Sequence, residues 1–192
     1  MSIERRDVLK LGALAAAVGV AGAGRGAPIA APAPAPSGPV PGGPSRRLKL
    51  LILGGTGLTG PHQVAYALSR GHEVTIFNRG RRQRDWPGTV EQLLGDRDVN
   101  DYKSLEAEVA KGRRWDVCID NPSSVPHWIR DAAAVLKGHV GGYMMISSLS
   151  AYADNATPGA DETAALATFE GDPLAATMAD LRANMALFAG LK

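Results

Sequence analysis

The sequence predicts a doubly wound α/β fold with a parallel sheet in the order 3-2-1-4-5, and three observations predict it. A branched, apolar run from Leu48 to Leu53 passes through glycines at 54, 55, 57 and 60 into a helical pattern from Pro61 to Arg70. Four further short apolar runs follow, at Glu73–Phe77, Val90–Leu94, Trp115–Ile119 and Tyr143–Ile146. Helical patterns separate the later ones, so neighbouring strands are joined by crossovers and run parallel.

The first unit carries the chemistry. A continuous apolar strand is buried on both faces, and Val64, Ala65 and Leu68 share one side of the helix that follows. Gly55 and Gly57 take backbone angles closed to other residues and leave room for a pyrophosphate, while Gly60 lets the helix lie close on the strand. Gly54, Leu58 and Thr59 complete the turn. An anion placed there meets free N–H groups at the positive end of the helix dipole, and Pro61 suits the first helical turn because no N–H is needed at that position. A glycine turn alone is also found in ordinary loops; its place between a strand and a helix makes this one a dinucleotide-phosphate site.

The second strand, Glu73–Phe77, ends in Asn78-Arg79-Gly80-Arg81-Arg82. NAD-binding chains place an acidic residue near this point for the ribose hydroxyls. Guanidinium groups pair instead with a 2′-phosphate, so NADP is favoured over NAD, with a plain basic surface loop as the alternative. The third strand closes on Gly95-Asp96, where Asp96 is a candidate contact to the adenine, a turn residue or a helix cap. Tyr102–Ala110 reads as an amphipathic crossover helix with Leu105 and Val109 inward. The fourth strand leads into Asp120-Asn121-Pro122-Ser123-Ser124 at the carboxyl edge of the sheet, beside the point where strand order reverses, and Asn121 is a candidate cofactor contact. Pro126 opens a helix that turns Ile129, Ala132, Ala133 and Leu136 inward and stops at Gly138. Ser147 and Ser148 stand at the mouth of the fifth strand.

Composition sets the remaining bounds. The 192 residues allow one domain and a tail, and 45% hydrophobic with 21% charged residues describes a globular chain. The single cysteine, Cys118, excludes an internal disulfide and sits in an apolar strand, where a small core residue is expected rather than a reactive thiol. No Cys/His spacing suits a metal. Residues 1–26 hold Arg5, Arg6, Lys10 and Arg25 against Glu4 and Asp7; the remainder carries 17 basic and 17 acidic residues, which argues against nucleic acid as a partner. Those 26 residues read as an export signal: a charged start and an apolar stretch from Leu11 to about Gly24 that is short for a membrane span. Arg5-Arg6-Asp7-Val8-Leu9-Lys10 matches the twin-arginine pattern, so the twin-arginine translocase is the expected export partner and a periplasmic or extracellular location follows. Residues 27–47, with seven prolines among alanine and glycine, form an extended linker. The dinucleotide-binding domain occupies 48–192.

Taken together, GGTGLTG after the first strand, HEVTIFNRG at the second, GDRD after the third and ISSLSAY after the fifth resemble the short-chain dehydrogenase/reductase superfamily, in its extended, NAD-dependent epimerase/dehydratase branch. The resemblance spans about residues 48–192. It implies a Rossmann fold, a nicotinamide cofactor and chemistry on hydroxyl or carbonyl groups, often of nucleotide-sugar substrates. On that likeness Gly54, Gly57 and Gly60 match the GxxGxxG glycines, Ser148 the serine that hydrogen-bonds the reacting oxygen, and Lys192 the lysine of the YxxxK motif. Phe188 stands where that motif has its tyrosine. Phenylalanine cannot exchange a proton, so impaired catalysis is expected. The strands and substrate-binding part that follow this motif in extended members are absent from the sequence, which reads as a C-terminally incomplete domain. A non-catalytic dinucleotide-binding protein, or an inactive exported fragment, is the competing reading.

Overall fold

A computed structural model describes residues 46–191. The export signal, nearly all of the proline-rich linker and Lys192 lie outside the described residues.

Five parallel strands form one sheet in the order β3-β2-β1-β4-β5. They are β1 (Lys49–Gly54), β2 (Glu73–Asn78), β3 (Val90–Leu94), β4 (Trp115–Asn121) and β5 (Val140–Met145). The helices are α1 (Gly60–Ser69), α2 (Lys103–Ala110), α3 (Pro126–Leu136), α4 (Met178–Ala183) and α5 (Leu187–Gly190). This is the Rossmann-type fold expected from the alternation of elements.

Alternation along β1 divides the core. Leu51 and Leu53 point to the face covered by α2 and α3, where they pack with Phe77, Leu105, Trp115, Cys118 and Leu136. Leu50 and Ile52 point to the other face and meet Val64 and Ala67 of α1 with Val74 and Ile76 of β2. Each such side chain contributes about 1.5–3 kcal/mol by leaving water, and β1 is buried on both faces because helices cover both. Cys118 is fully buried, and burial pushes its thiol pKa well up.

Several boundaries differ from those read in the sequence. β4 runs two residues further, to Asn121, because Asp120 and Asn121 pair with Leu53 and Gly54 of β1. β5 starts at Val140 and ends at Met145 rather than spanning 143–146. Gly141 lies within this strand, where a side chain would press on the Asp116 carbonyl, at 2.8 Å. Tyr102 caps α2 instead of lying within it. In α3 the buried positions are Trp128, Ala132 and Leu136, while Ala133 is exposed and Ile129 half-buried. The inward stripe begins at Val125 and advances by three, four and four residues, which leaves 129 and 133 one step round the helix.

After β5 the chain forms short turns and a third apolar cluster, in which Val125 and Trp128 of the α3 region meet Ala176, Leu181 and Leu191, with Leu187 and Phe188 against them. The small α4 is held by a reciprocal capping box between Thr177 and Asp180.

Candidate functional site

The glycine turn lies at the carboxyl end of β1. Gly54 and Gly55 have φ of +98° and +81°, which an L side chain tolerates poorly, and a Cβ on Gly54 would run into the Asn121 carbonyl. Gly57 differs from the expectation. It has no positive φ, and a Cβ there would meet nothing within 4 Å, so it faces the open side of the turn. A Cβ on Gly60 would lie 2.5 Å from the Gly55 carbonyl carbon and 2.6 Å from its Cα, so this glycine is what lets α1 start against the turn. Thr59 is the N-cap of α1 but makes no side-chain cap; its hydroxyl donates to Asn121 Oδ1 at 3.2 Å instead. The helix therefore presents its first N–H groups without a side-chain acceptor from the cap, as an anion site requires.

Side chains from neighbouring strands hold this turn. Asn121 Nδ2 donates to Gln63 Oε1 at 3.0 Å, so one amide links the end of β4 to both the turn and α1. Asn78 Nδ2 donates to the Gly54 carbonyl at 3.1 Å, while Asn78 Oδ1 accepts from Gly80 N–H at 2.7 Å and Gln92 Nε2 at 2.8 Å. Asn78 thus ties β1, β2 and β3 together at their carboxyl ends. Leu58 is exposed at the tip of the turn.

A cavity of about 440 Å³ opens beside the turn, between the ends of β1, β2, β3 and β4. Gly54, Thr56 and Gly57 form one side, Asn78 to Arg82 the second, and Gly95 to Arg97 with Pro122 and Trp128 the third. The structure therefore brings together the glycine turn, Asn78, Arg79 and Asp96, as the sequence suggested. Arg79 pairs with Asp98 at 3.3 Å and Arg81 with Asp96 at 3.4 Å, both long and partly exposed. Arg82 has no ion-pair partner among the described residues. Arg84 donates to the Thr56 carbonyl at 3.3 Å, drawing the basic segment toward the turn. Asp96 is a cap: its carboxylate accepts from Asp98 N–H at 3.1 Å and closes the 3-10 turn Arg97–Val99.

Beneath the cavity lies a buried network that sequence reasoning missed. Arg97 grips Asp120 with two hydrogen bonds, Nη1 to Oδ1 at 2.6 Å and Nη2 to Oδ2 at 2.9 Å. Asp120 is 0% exposed, and Tyr143 donates its hydroxyl to Asp120 Oδ2 at 2.5 Å. The guanidinium carbon lies 4.9 Å from the ring centre of Trp128. Burial works against the Arg97 charge, but the hydrogen bonds and charge of Asp120 outweigh it and raise its pKa. Burial and the Asp120 carboxylate together raise the pKa of Tyr143. GDRD and Asp120-Asn121 were each visible as loop motifs. Only the strand order shows that an arginine after β3 and an aspartate at the end of β4 are partners.

Ser148 is exposed after β5, and its hydroxyl accepts from Ser150 N–H at 3.2 Å and from the Ser150 hydroxyl at 2.9 Å. The turn Leu149–Ala151 that follows packs on α5, so the segment bearing Phe188 comes beside that bearing Ser148. Phe188 itself packs on the Val125–Trp128–Leu181 cluster. Among the described residues no group of three or more His, Cys, Asp or Glu side chains is placed to hold a metal ion.

A parallel sheet in this order, with a glycine turn feeding a helix at the switch point and a cavity over the strand ends, defines a dinucleotide-binding α/β domain. The chain belongs to the NAD dependent epimerase/dehydratase family, whose model matches residues 50–153, just over half of its length. Among solved structures it is similar to the Bordetella bronchiseptica enzyme WbmG in complex with NAD and UDP, at 16% identity and a TM-score of 0.53, over 76% of this chain and 48% of that one. It is also similar to the epimerase Mth375 of Methanothermobacter thermautotrophicus, at 15% identity and a TM-score of 0.54, over 67% of this chain and 43% of that one. At these identities the likeness shows the fold, and the chain spans about half the length of those structures. Comparison with curated proteins gives no match.

Proposed function

We propose that this chain is the cofactor-binding part of a nicotinamide-dependent epimerase/dehydratase-type enzyme that acts on a hydroxyl or carbonyl group of a nucleotide-sugar-like substrate. The observation that carries the reading is the glycine turn, with its uncapped α1 N-terminus opening on a cavity large enough to admit part of a dinucleotide. Family membership and the NAD held by WbmG support the same ligand class. When bound, the nicotinamide supplies hydride exchange. The residues of the chain would do the rest: N–H groups of the turn and of α1 hold the pyrophosphate, and Asn78 and Asn121 keep the turn in shape. Ser148, whose hydroxyl accepts two hydrogen bonds and retains its own proton to donate, would hold the reacting oxygen. Lys192 would bind the nicotinamide ribose.

The basic segment supports NADP over NAD. Arg79 and Arg82 line the cavity and no carboxylate from β2 opposes a 2′-phosphate there. Export through the twin-arginine route belongs to the same reading, since that route carries folded proteins and so suits one that binds its nucleotide beforehand. Titration calorimetry with NADP and NAD tests the cofactor reading: Arg79→Ala is expected to weaken NADP about tenfold or more relative to NAD. Equal affinity of the unaltered chain for both cofactors refutes the NADP preference, and no binding of either refutes the reading itself.

A second reading, dinucleotide binding without turnover, is favoured by one observation. Position 188 offers a phenyl ring packed in an apolar cluster in place of a phenol near Ser148. Oxidation of NADPH by the chain, abolished by Ser148→Ala, would exclude it.

A further inference from the structure

Arg79, Arg81, Arg82 and Arg84 follow β2, and the structure does not leave them equally free. Arg82 has no ion-pair partner among the described residues, and Arg84 donates only to the Thr56 carbonyl. The turn after β3 holds the other two: Arg79 Nη1 lies 3.3 Å from Asp98 Oδ2, and Arg81 Nη2 lies 3.4 Å from Asp96 Oδ2. The two aspartates differ in what else they do. Asp96 also caps the turn, since its Oδ1 accepts from Asp98 N–H, so its charge cannot be removed without touching the backbone. The Asp98 carboxylate lies between two arginines instead: the same Oδ2 that faces Arg79 is 3.9 Å from Arg182 Nη2 of α4. Arg79 lines the cavity, and Asp98 is not among the residues that do.

A 2′-phosphate that reaches Arg79 has to take it from Asp98. The pair is partly exposed, at 42% and 25% of its two side chains, and such pairs are weak enough to exchange. Arg182 stays beside Asp98 after the exchange, so the carboxylate keeps a counter-charge. Its negative charge also stays, and repels a dianion bound close by. We propose that Asp98 is a specificity-determining residue: as the counter-ion of Arg79 it takes the place of the 2′-phosphate in the free protein and holds down the affinity for NADP. NAD carries a hydroxyl at that position, does not compete for Arg79 and is not affected. This role rests on the cofactor reading above. It has an unusual sign, because removing a side chain's charge should strengthen binding.

Titration calorimetry with NADP and NAD on the full chain tests it, with thermal melting alongside. The chain is compared unaltered and carrying Asp98→Asn, which keeps the size and removes the charge, or Asp98→Glu, which keeps the charge. Asp98→Asn is expected to tighten NADP by about three- to tenfold and to change NAD by less than about twofold, the worth of an exposed ion pair together with one like charge near a dianion. Asp98→Glu should stay within about twofold of the unaltered chain for both cofactors. When Arg79→Ala is already present, Asp98→Asn should lose most of its effect, because the cation it releases is gone. NADP binding that Asp98→Asn leaves unchanged or weakens, a gain shared equally by NAD, or a gain undiminished beside Arg79→Ala overturns the proposal. Should Asp98→Asn fail to fold, Asp98→Ser decides in its place. If the unaltered chain binds NAD and NADP alike, the preference proposed above fails and Asp98 is still judged, since Asp98→Asn must then create one. If it binds neither, both fall.

Discussion

Replacing Asp120 by Asn keeps the size of the side chain and removes its charge. Asp120 is fully buried, and it accepts both Arg97 terminal nitrogens and the Tyr143 hydroxyl, so three hydrogen bonds converge on one carboxylate. After the change Arg97 remains a buried cation with no counter-charge, and the asparagine amide directs N–H toward a donor. Breaking a buried pair by removing one partner costs about 3–5 kcal/mol, a large part of the about 5–15 kcal/mol that holds a domain folded. With a urea m-value of about 2 kcal/mol/M, the unfolding midpoint should fall by on the order of 2 M. Tryptophan fluorescence reports the transition, because Trp115 lies in the core and Trp128 beneath Arg97. The companion variant Arg97→Met with Asp120→Leu removes both charges and should cost much less than Asp120→Asn alone, since neither partner is left unpaired. A loss below about 1 kcal/mol for Asp120→Asn, with an unchanged m-value, would refute the view that this network is a buried ion pair bridging strand ends.

Three further outcomes are expected. Gly57→Ala should leave the unfolding midpoint nearly unchanged, because its Cβ meets nothing, yet weaken dinucleotide binding; Gly60→Ala should lower the midpoint as well, through its contact with Gly55, and calorimetry with urea titration separates the two. Cys118 should resist thiol reagents in the native protein and react only as fast as the chain opens, since burial disfavours its thiolate; rapid labelling under native conditions would show that β4 is not buried as described. The Arg113 hydrogen bonds hold the Glu91 carboxyl below its ordinary 4.5. Its folded-state pKa is the lower one, so its contribution is present above about pH 4.5 and is lost as pH falls through the folded value. That contribution is small for so exposed a pair, at most about 1 kcal/mol, and Glu91→Gln should reduce by that amount the loss of unfolding free energy, read from urea titrations, as pH falls from neutral to below 4.5.

The strand order was legible in the sequence because it follows from local signals: apolar runs of strand length, glycine and proline at the boundaries, and helical spacing between them. The glycine turn was legible for the same reason, since Gly54 to Gly60 act through backbone angles and close approach inside one short segment. Even there the assignment among glycines needed coordinates. Whether Gly54 or Gly57 carries the positive φ depends on how closely β4 passes, and Asn121 lies 67 residues after Gly54. Tertiary structure alone decided the buried Arg97–Asp120 side of the cavity. Arg97 lies in the turn after β3 and Asp120 near the end of β4, and nothing local says that one will neutralise the other. Their pairing arises because β1 separates β2 and β3 from β4 and β5, so the carboxyl ends of all five strands converge on one edge. The same convergence brings the Asn78 side chain into hydrogen bonds with β1 and β3, whereas the Asp96 cap is local, made with the Asp98 N–H two residues on. Sequence thus determined the elements and their order, which depend on neighbours along the chain; tertiary structure decided which charges remain free to meet a ligand, because that depends on neighbours across the sheet.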